Sequence, residues 1–464
     1  MPVPLPDVTV AVLPLQSASN DPEQRALAEA LSEEVSRELF HVPGLQVKSR
    51  LGVANYRDQR EFNTEKLGRE LGARFLVTGS WSEVAGRLRV FVQLVRASDA
   101  AVLWIDSFDR GQNELSRVRN EIVRAIGDTL SKLVPASARA GRHAPTKPER
   151  DVNPEAYRLY VLAERAFAQR GHVARGWGLE NFEKAIALDS NYAQAWAGLS
   201  LARAFTPITL RVLTSAAAPA ARAAAARALS LDSTLSTPHS ALGFVHQLAF
   251  RWDSAATEFQ TAVRLRDSSD VEPLMQYGKH LLFRGHVRDG MRQFMLARQT
   301  EPASAVVSSW VAYAYYLDGQ LDSAVVEIRR ANQSDSTNAT TIDWGSVILA
   351  RAGMYAEARR FAERRGPINA DLTLVLIAQG DSAEAFARLR RAHVNPNAFA
   401  MLAAGDTTAA LLALERGLDK GEFWPAFIPV VDPQYAPLWP STRFRALLRR
   451  VGLGDIVFPA PRKH

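Results

Sequence analysis

The sequence predicts an α/β N-terminal domain with a mixed sheet, followed by an all-α right-handed superhelix of repeated helix pairs. Two observations predict this. Residues 8–134 alternate strand and helix patterns and end in three successive strand patterns. From Pro154 onward strand patterns stop, alanine rises and small residues recur at a fixed interval. The 464 residues allow two to four domains at about 100 to 200 residues each. Hydrophobic residues at 47% and charged residues at 23% exclude wholesale disorder, and no apolar run approaches the roughly 20 residues that span a bilayer. With no cysteine, the chain has no disulfide framework, thiolate nucleophile, zinc knuckle or iron–sulfur cluster.

In the first 134 residues, Val8–Gln16 (VTVAVLPLQ) is a β-branched apolar run, the pattern of a central strand buried on both faces. Asp21 is placed to cap a helix with Pro22 at its first position, and Leu27, Ala30, Leu31, Val35, Leu39 and Phe40 follow at helical spacing. The carboxylates Glu33 and Glu34 read as the solvated face of that helix. Pro43-Gly44 stops it and Leu45–Arg50 forms a second strand, so the first two strands are parallel with a right-handed crossover. A second helix at Thr64–Leu71 leads through Gly72 to strands at Arg74–Val84, Arg87–Arg96 and Val102–Phe108. The first two of these are joined by a tight turn at Ala85-Gly86. A closing helix, Glu114–Leu133, carries Val118, Ile122, Ile126 and Leu130 at four-residue steps.

The series VAVLPLQ, NDPEQ, PGLQVKSR, LGRELGARFLVTGSW and RVFVQLVRASDAAVLW, in that order, resembles the TolB amino-terminal-like domain over residues 8–134. The resemblance implies a domain that precedes tetratricopeptide repeats in bacterial regulators. In those proteins a helix-turn-helix domain, a nucleotide cyclase or a serine/threonine kinase often lies upstream. This sequence carries none of those parts.

In the rest of the chain, the unit F-x-x-A appears as Phe182/Ala185, Phe259/Ala262 and Phe294/Ala297, with Ile328/Ala331 and Leu389/Ala392 as variants. With Ala228 added, the anchoring alanines from Ala185 to Ala331 are spaced by 43, 34, 35 and 34 residues. Leu242-Gly243 and Tyr277-Gly278 lie on first helices, and Gly285, Gly319, Gly353, Gly380 and Gly405 mark the turns. Two antiparallel helices that cross closely need such small residues at the contact. This pattern resembles the tetratricopeptide family, most clearly over residues 154–365, and implies a superhelix of that type. The turn spacing contracts to 27 and then 25 residues beyond that point. Asp253 and Asp322 read as N-caps of second helices. The stretch Trp424–Trp439 is proline-rich, and STRFRALLRRVGL reads as a basic amphipathic helix capping the open end.

The expected domains are therefore 1–134 (α/β), 135–152 (basic linker), 153–423 (helical repeats) and 424–464 (Pro-rich segment and capping helix). The net charge of +7 sits mainly in the linker, with Arg139, Arg142, Lys147 and Arg150, and in the tail, with Arg443, Arg445, Arg449, Arg450, Arg462 and Lys463. That distribution lacks the basic folded face of a nucleic-acid binder, so no nucleic-acid partner is expected. The start MPVPLPDVTV shows no secretory signal, which places the chain in the cytoplasm, or in the periplasm if the true start lies upstream. No phosphate-binding loop, dinucleotide fingerprint, zincin motif, nucleophile elbow or kinase loop set occurs. His239, His246, His280 and His286 lack ligand-spaced carboxylates and read as solvated or capping. No catalytic residue, metal or cofactor is expected. The residues point to a non-enzymatic adaptor that binds a protein or peptide in a groove lined by first helices, with Gln247, Lys279, Tyr313, Tyr316 and Asp343 as candidates. The alternative is the sensor half of a signalling system whose kinase, cyclase or DNA-binding part lies upstream or on a partner. Oligomeric state is not legible.

Overall fold

The computed structural model describes residues 8–17, 19, 21–40, 42, 44–48, 63–111, 114–133, 152–168, 172–209, 214–266, 270–302, 304–366, 370–391, 397–420 and 429–459. Most of the expected linker 135–152, the start of the Pro-rich segment and the last residues of the tail lie outside them. The chain forms two compact units. The first is built mainly from residues 1–212 and 217–238, and the second from 239–266 and 270–464.

In the first unit, β1 (Val8–Val12), β2 (Gln16–Ser17), β3 (Leu45–Val47), β4 (Phe75–Val84), β5 (Arg87–Arg96) and β6 (Val102–Gly111) form one sheet in the order β3-β1-β4-β5-β6, with β2 paired to β4. β1 runs parallel to β3 and β4, while β4, β5 and β6 are antiparallel, so the sheet is mixed as expected. The single first strand read from the sequence is broken at Leu13–Leu15, where the Leu13 N–H still reaches the Val77 carbonyl. Ala85 and Gly86 both take positive φ, the geometry of a two-residue hairpin turn that follows the strand twist. Helix α1 (Pro22–Leu39) starts at Asp21, whose carboxylate accepts from the Glu23 N–H, and α2 (Thr64–Leu71) ends on Gly72 in the left-handed conformation. Helix α3 (Leu115–Ser131) buries Val118, Ile122, Ile126 and Leu130. These share a core with α1, with strands β1, β4 and β5, and with α4 (Pro154–Ala168). The unit continues with α5 (His172–Leu188), α6 (Ala193–Thr209) and α7 (Thr214–Leu231).

The join between sheet layer and helices overturns one sequence expectation. Glu34 is 6% exposed and is not on a solvated face. It accepts from Arg119 of α3 at 3.3 Å and from the Tyr157 hydroxyl of α4 at 3.5 Å, and it pairs with Arg37 on its own helix. One turn away, Arg165 of α4 pairs with Glu29 and Glu33. The carboxylates cluster on α1 because two arginines from other helices meet them there, which is what makes burial of charge tolerable.

The second unit is an array of antiparallel helix pairs. Its first helices are α8 (Thr237–Leu248), α10 (Glu272–Phe283), α12 (Ala305–Leu317), α14 (Ala339–Arg351), α16 (Ala370–Ala378) and α18 (Ala398–Ala403). They alternate with second helices α9 (Trp252–Leu265), α11 (Val287–Thr300), α13 (Leu321–Ser334), α15 (Tyr355–Glu363), α17 (Ser382–Arg391) and α19 (Thr407–Asp419). Second helices begin at Trp252, Val287, Leu321 and Tyr355, close to the 34-residue period, and then at Ser382 and Thr407 as the repeat shortens. A Cβ on Gly243 would sit 2.8 Å from the Phe259 ring, one on Gly278 2.5 Å from Phe294, and one on Gly345 2.3 Å from Phe361. Each of these three first helices thus offers a gap that the ring sixteen residues later fills. Where Ile328 replaces the ring, the corresponding first-helix residue is Ala312. Asp253 and Asp322 lie inside the first turn and do not cap it. Arg251 and Gln320 hold the cap positions without side-chain bonds, and Asp253 instead accepts from Arg284 at 2.9 Å. The chain ends in a 3₁₀ helix (Pro433–Leu438) and α20 (Thr442–Arg450).

Candidate partner-binding site

The candidate site lies on the first helices of the second unit. At α8 and α10, Gln247 is buried and its Oε1 accepts from His280 Nδ1 at 2.9 Å. His280 lies among Trp252, Phe259 and Tyr277. Burial, with the nearby charges of Arg284 and His286, pushes its imidazole down to about 3, so it stays neutral and its role is structural. This corrects the reading of it as solvated or capping. The adjacent Lys279 reaches toward α12 and places its ammonium 5.0 Å from the centre of the Trp310 ring, a cation–π contact.

Helix α12 supplies the densest part of the face. Tyr313 stacks on Trp344 of α14 with ring centres 3.7 Å apart, and Trp310 meets both rings edge-on. Tyr313 is 0% exposed and Tyr316 is buried beside it. Their hydroxyls converge on one carboxylate, Asp432, at 2.5 Å from Tyr313 and 3.2 Å from Tyr316. Asp432 is wholly buried, and burial raises its pKa despite the two phenols and the Gln434 N–H that hold it. In exchange, the burial and its negative charge push both tyrosine hydroxyls well above their ordinary range, so they remain donors.

Asp432 belongs to a segment of the same chain that crosses this face. Its carboxylate accepts from the Gln434 N–H at 2.8 Å and so caps the 3₁₀ helix that Pro433 begins. Val430 and Val431 are buried on one side of it and Tyr435 on the other, the latter against Phe399 of α18. A Cβ on Gly285, in the α10–α11 turn, would lie 3.3 Å from Val431. Helix α20 then fixes the segment. Arg443 pairs with Glu415 and Arg450 with Asp419 on α19, while Trp252 of α9 donates to the Val451 carbonyl at 2.6 Å. The C-terminal segment therefore touches the array from its second-unit start to its last helix pair, beyond the terminal cap expected of it.

Asp343 of α14 stands apart from that segment. It takes a two-pronged bond from Arg365 at 2.8 and 3.2 Å and faces Asp371 of α16. Burial and the Asp343 charge push Asp371 up to about 7, so Asp371 carries the proton that the pair shares. Of the five expected residues, the structure brings Tyr313 and Tyr316 together on Asp432. Gln247 is tied to the neighbour of Lys279, and Asp343 lies one helix pair further on. Sequence reasoning missed Asp432. The available signal was that it is the sole acidic residue between Glu422 and Asp455, set in an apolar proline-rich run. Among the described residues, no helix is long and apolar enough to cross a membrane.

A mixed α/β sheet layer followed by an array of antiparallel helix pairs with a repeat near 34 residues is the class that this fold and face define. Residues 6–125 match the model of the HilA/YgeH-like transcriptional regulator, second domain. Putative adenylate cyclase 3 of Rhizobium meliloti (strain 1021) is 30% identical over 193 residues, which is 42% of this chain and 32% of that protein. The chain thus spans about a third of the length of the curated relative it matches. Among solved structures, pilF of Pseudomonas aeruginosa is 16% identical, covering 43% of this chain and 92% of its own, with a TM-score of 0.36. A thermophilic TPR protein of Thermus thermophilus, TTC0263, is 16% identical, covering 42% and 99%, with a TM-score of 0.35. The human IFIT1 dimer with m7Gppp-AAAA is 14% identical, covering 66% and 79%, with a TM-score of 0.39.

Proposed function

We infer that this chain is a non-enzymatic interaction scaffold or adaptor in bacterial signalling, acting in the cytoplasm and holding a protein or peptide partner on the first-helix face of a right-handed superhelix. The observation that carries this reading is the pair of hydroxyls on Tyr313 and Tyr316 converging on the carboxylate of an irregular, proline-rich segment. The face already holds a stretch of polypeptide by side-chain hydrogen bonds and aromatic packing, which is how helix-lined grooves take peptides. The test is affinity purification from the source organism with the full chain as bait, followed by mass spectrometry. Lys279→Ala combined with Tyr313→Phe, which keeps the buried ring, is expected to lose the retained partner while helicity stays unchanged. An unaltered set of retained proteins contradicts the reading.

A second reading is favoured by the likeness of part of the chain to a putative adenylate cyclase and to a transcriptional regulator's second domain. In it, the chain is the regulatory half of a signalling system whose catalytic or DNA-binding part is encoded upstream or on a partner, and the first domain is the TolB-like regulator module. Sequencing the genomic DNA upstream of Met1 tests it. An in-frame cyclase, kinase or helix-turn-helix domain supports this reading, and a stop codon with no such neighbour tells against it.

A further inference from the structure

The segment Val430–Leu438 meets the first helices as a bound peptide would, through one buried acid, a proline turn and an aromatic ring. We propose that it is the array's resident ligand, and that the partner is a protein segment of the same chemistry, acid–proline–any residue–aromatic, which displaces it from Tyr313 and Tyr316. This deepens the scaffold reading and rests on it.

Three observations support the exchange. The Asp432 carboxylate is buried at a cost, held by the backbone and side chain of Gln434 in its own segment and met by the array with two neutral phenols. The Trp310 indole N–H, beside Tyr313 on the same face, is buried with no acceptor, so the resident segment leaves a donor unused that a longer partner's carbonyl can take. Finally, most of the anchor lies outside the ligand. Arg443–Glu415, Arg450–Asp419 and Trp252–Val451 all lie C-terminal to the 3₁₀ helix, so Val430–Leu438 can leave its place, giving up the stacking of Tyr435 on Phe444, while α20 stays docked. Tethered in this way, the segment competes at an effective concentration on the order of millimolar, which sets the threshold that a partner must exceed. Prolines 429, 433 and 437 restrict the released segment, so little order is lost when it returns.

The test uses the full chain and a fluorescent synthetic peptide copying residues 429–440, read by fluorescence anisotropy. The wild-type chain is expected to bind it weakly. Asp432→Ala, which weakens the tethered competitor and leaves the face intact, is expected to bind it at least about tenfold more tightly. Adding Tyr313→Phe and Tyr316→Phe is expected to erase the gain, and a peptide with alanine at the aspartate position is expected not to bind. Saturating peptide should also raise the melting temperature of Asp432→Ala, by mass action, more than that of the wild type. If Asp432→Ala does not fold, the isosteric Asp432→Asn replaces it, with a gain of several-fold expected. Equal affinities in wild type and a folded Asp432 variant overturn the proposal, even where affinity purification has returned a partner and the scaffold reading stands. Tighter peptide binding by the Asp432 variant, in a chain that retains no partner, shows that the segment can be displaced but overturns the partner half of the proposal together with the scaffold reading.

Discussion

Glu34 shows what a single residue owes to distant chain. On its own helix it stands among Glu29, Glu33 and Glu38, and nothing within a few turns distinguishes it from a solvated carboxylate. Its partners Arg119 and Tyr157 come from 85 and 123 positions away, which local spacing cannot show. Glu34→Ala leaves Arg119 buried at 2% exposure without its carboxylate and is expected to cost about 3 kcal/mol in denaturant unfolding of the full chain. An effect below about 0.5 kcal/mol would show that the cluster contributes no net stability. Asp371 makes a prediction of opposite character. Its folded pKa of about 7 lies above the unfolded 3.8, so the folded state binds the proton more tightly and loses stability as pH rises through that window. Relative to Asp371→Asn, the wild type is expected to become less stable between about pH 4 and about pH 7. Equal pH dependence of the two denaturation midpoints would contradict the shared proton.

The helix pair is the unit in which the array was most legible. Its signal is local in sequence, the F-x-x-A unit on second helices and the small residues at Gly243 and Gly278 on first helices, and the structure places Gly243 against Phe259 and Gly278 against Phe294. Helix starts were less legible. Asp253 and Asp322 looked like caps because acids favour helix N-termini, yet the helices begin before them and the acids instead complement the positive end of the helix dipole from within the first turn. Two substitutions probe the unit. Ala262, 0% exposed on α9, cannot take a long charged chain, and Ala262→Arg is expected to cost several kcal/mol, about 3 or more. A melting temperature within about a degree of the parent would contradict it. Gly278→Ala forces a methyl into the Phe294 ring and is expected to cost about 1 to 3 kcal/mol, with most of that recovered when Phe294 is also reduced to leucine. Additive losses in the double variant would show that the two positions do not share one gap.

At the scale of the molecule, the order of layers was readable because each layer has its own period, near two residues in β5 and near thirty-four in the helical array. The site was readable only in part. Tyr313, Tyr316, Lys279 and Gln247 could be assigned to a first-helix face from repeat geometry, but the segment lying across that face could not, because no periodic rule ties residue 432 to residues 313 and 316. The same gap explains why the C-terminal stretch read as a terminal cap, whereas in the structure Trp252 of the array's first helix pair holds Val451. The face carries a segment of its own chain, and in the proposed exchange that segment lifts before the array unfolds. Native-state amide hydrogen exchange on the full chain tests this directly. Amides of Asp432, Tyr435 and Trp439 are expected to exchange more slowly than in a free peptide yet faster than those of α12, and Tyr313→Phe with Tyr316→Phe should speed the segment alone. Protection equal to that of α12 would mean a permanent part of the core, and no protection would mean that the segment does not lie there.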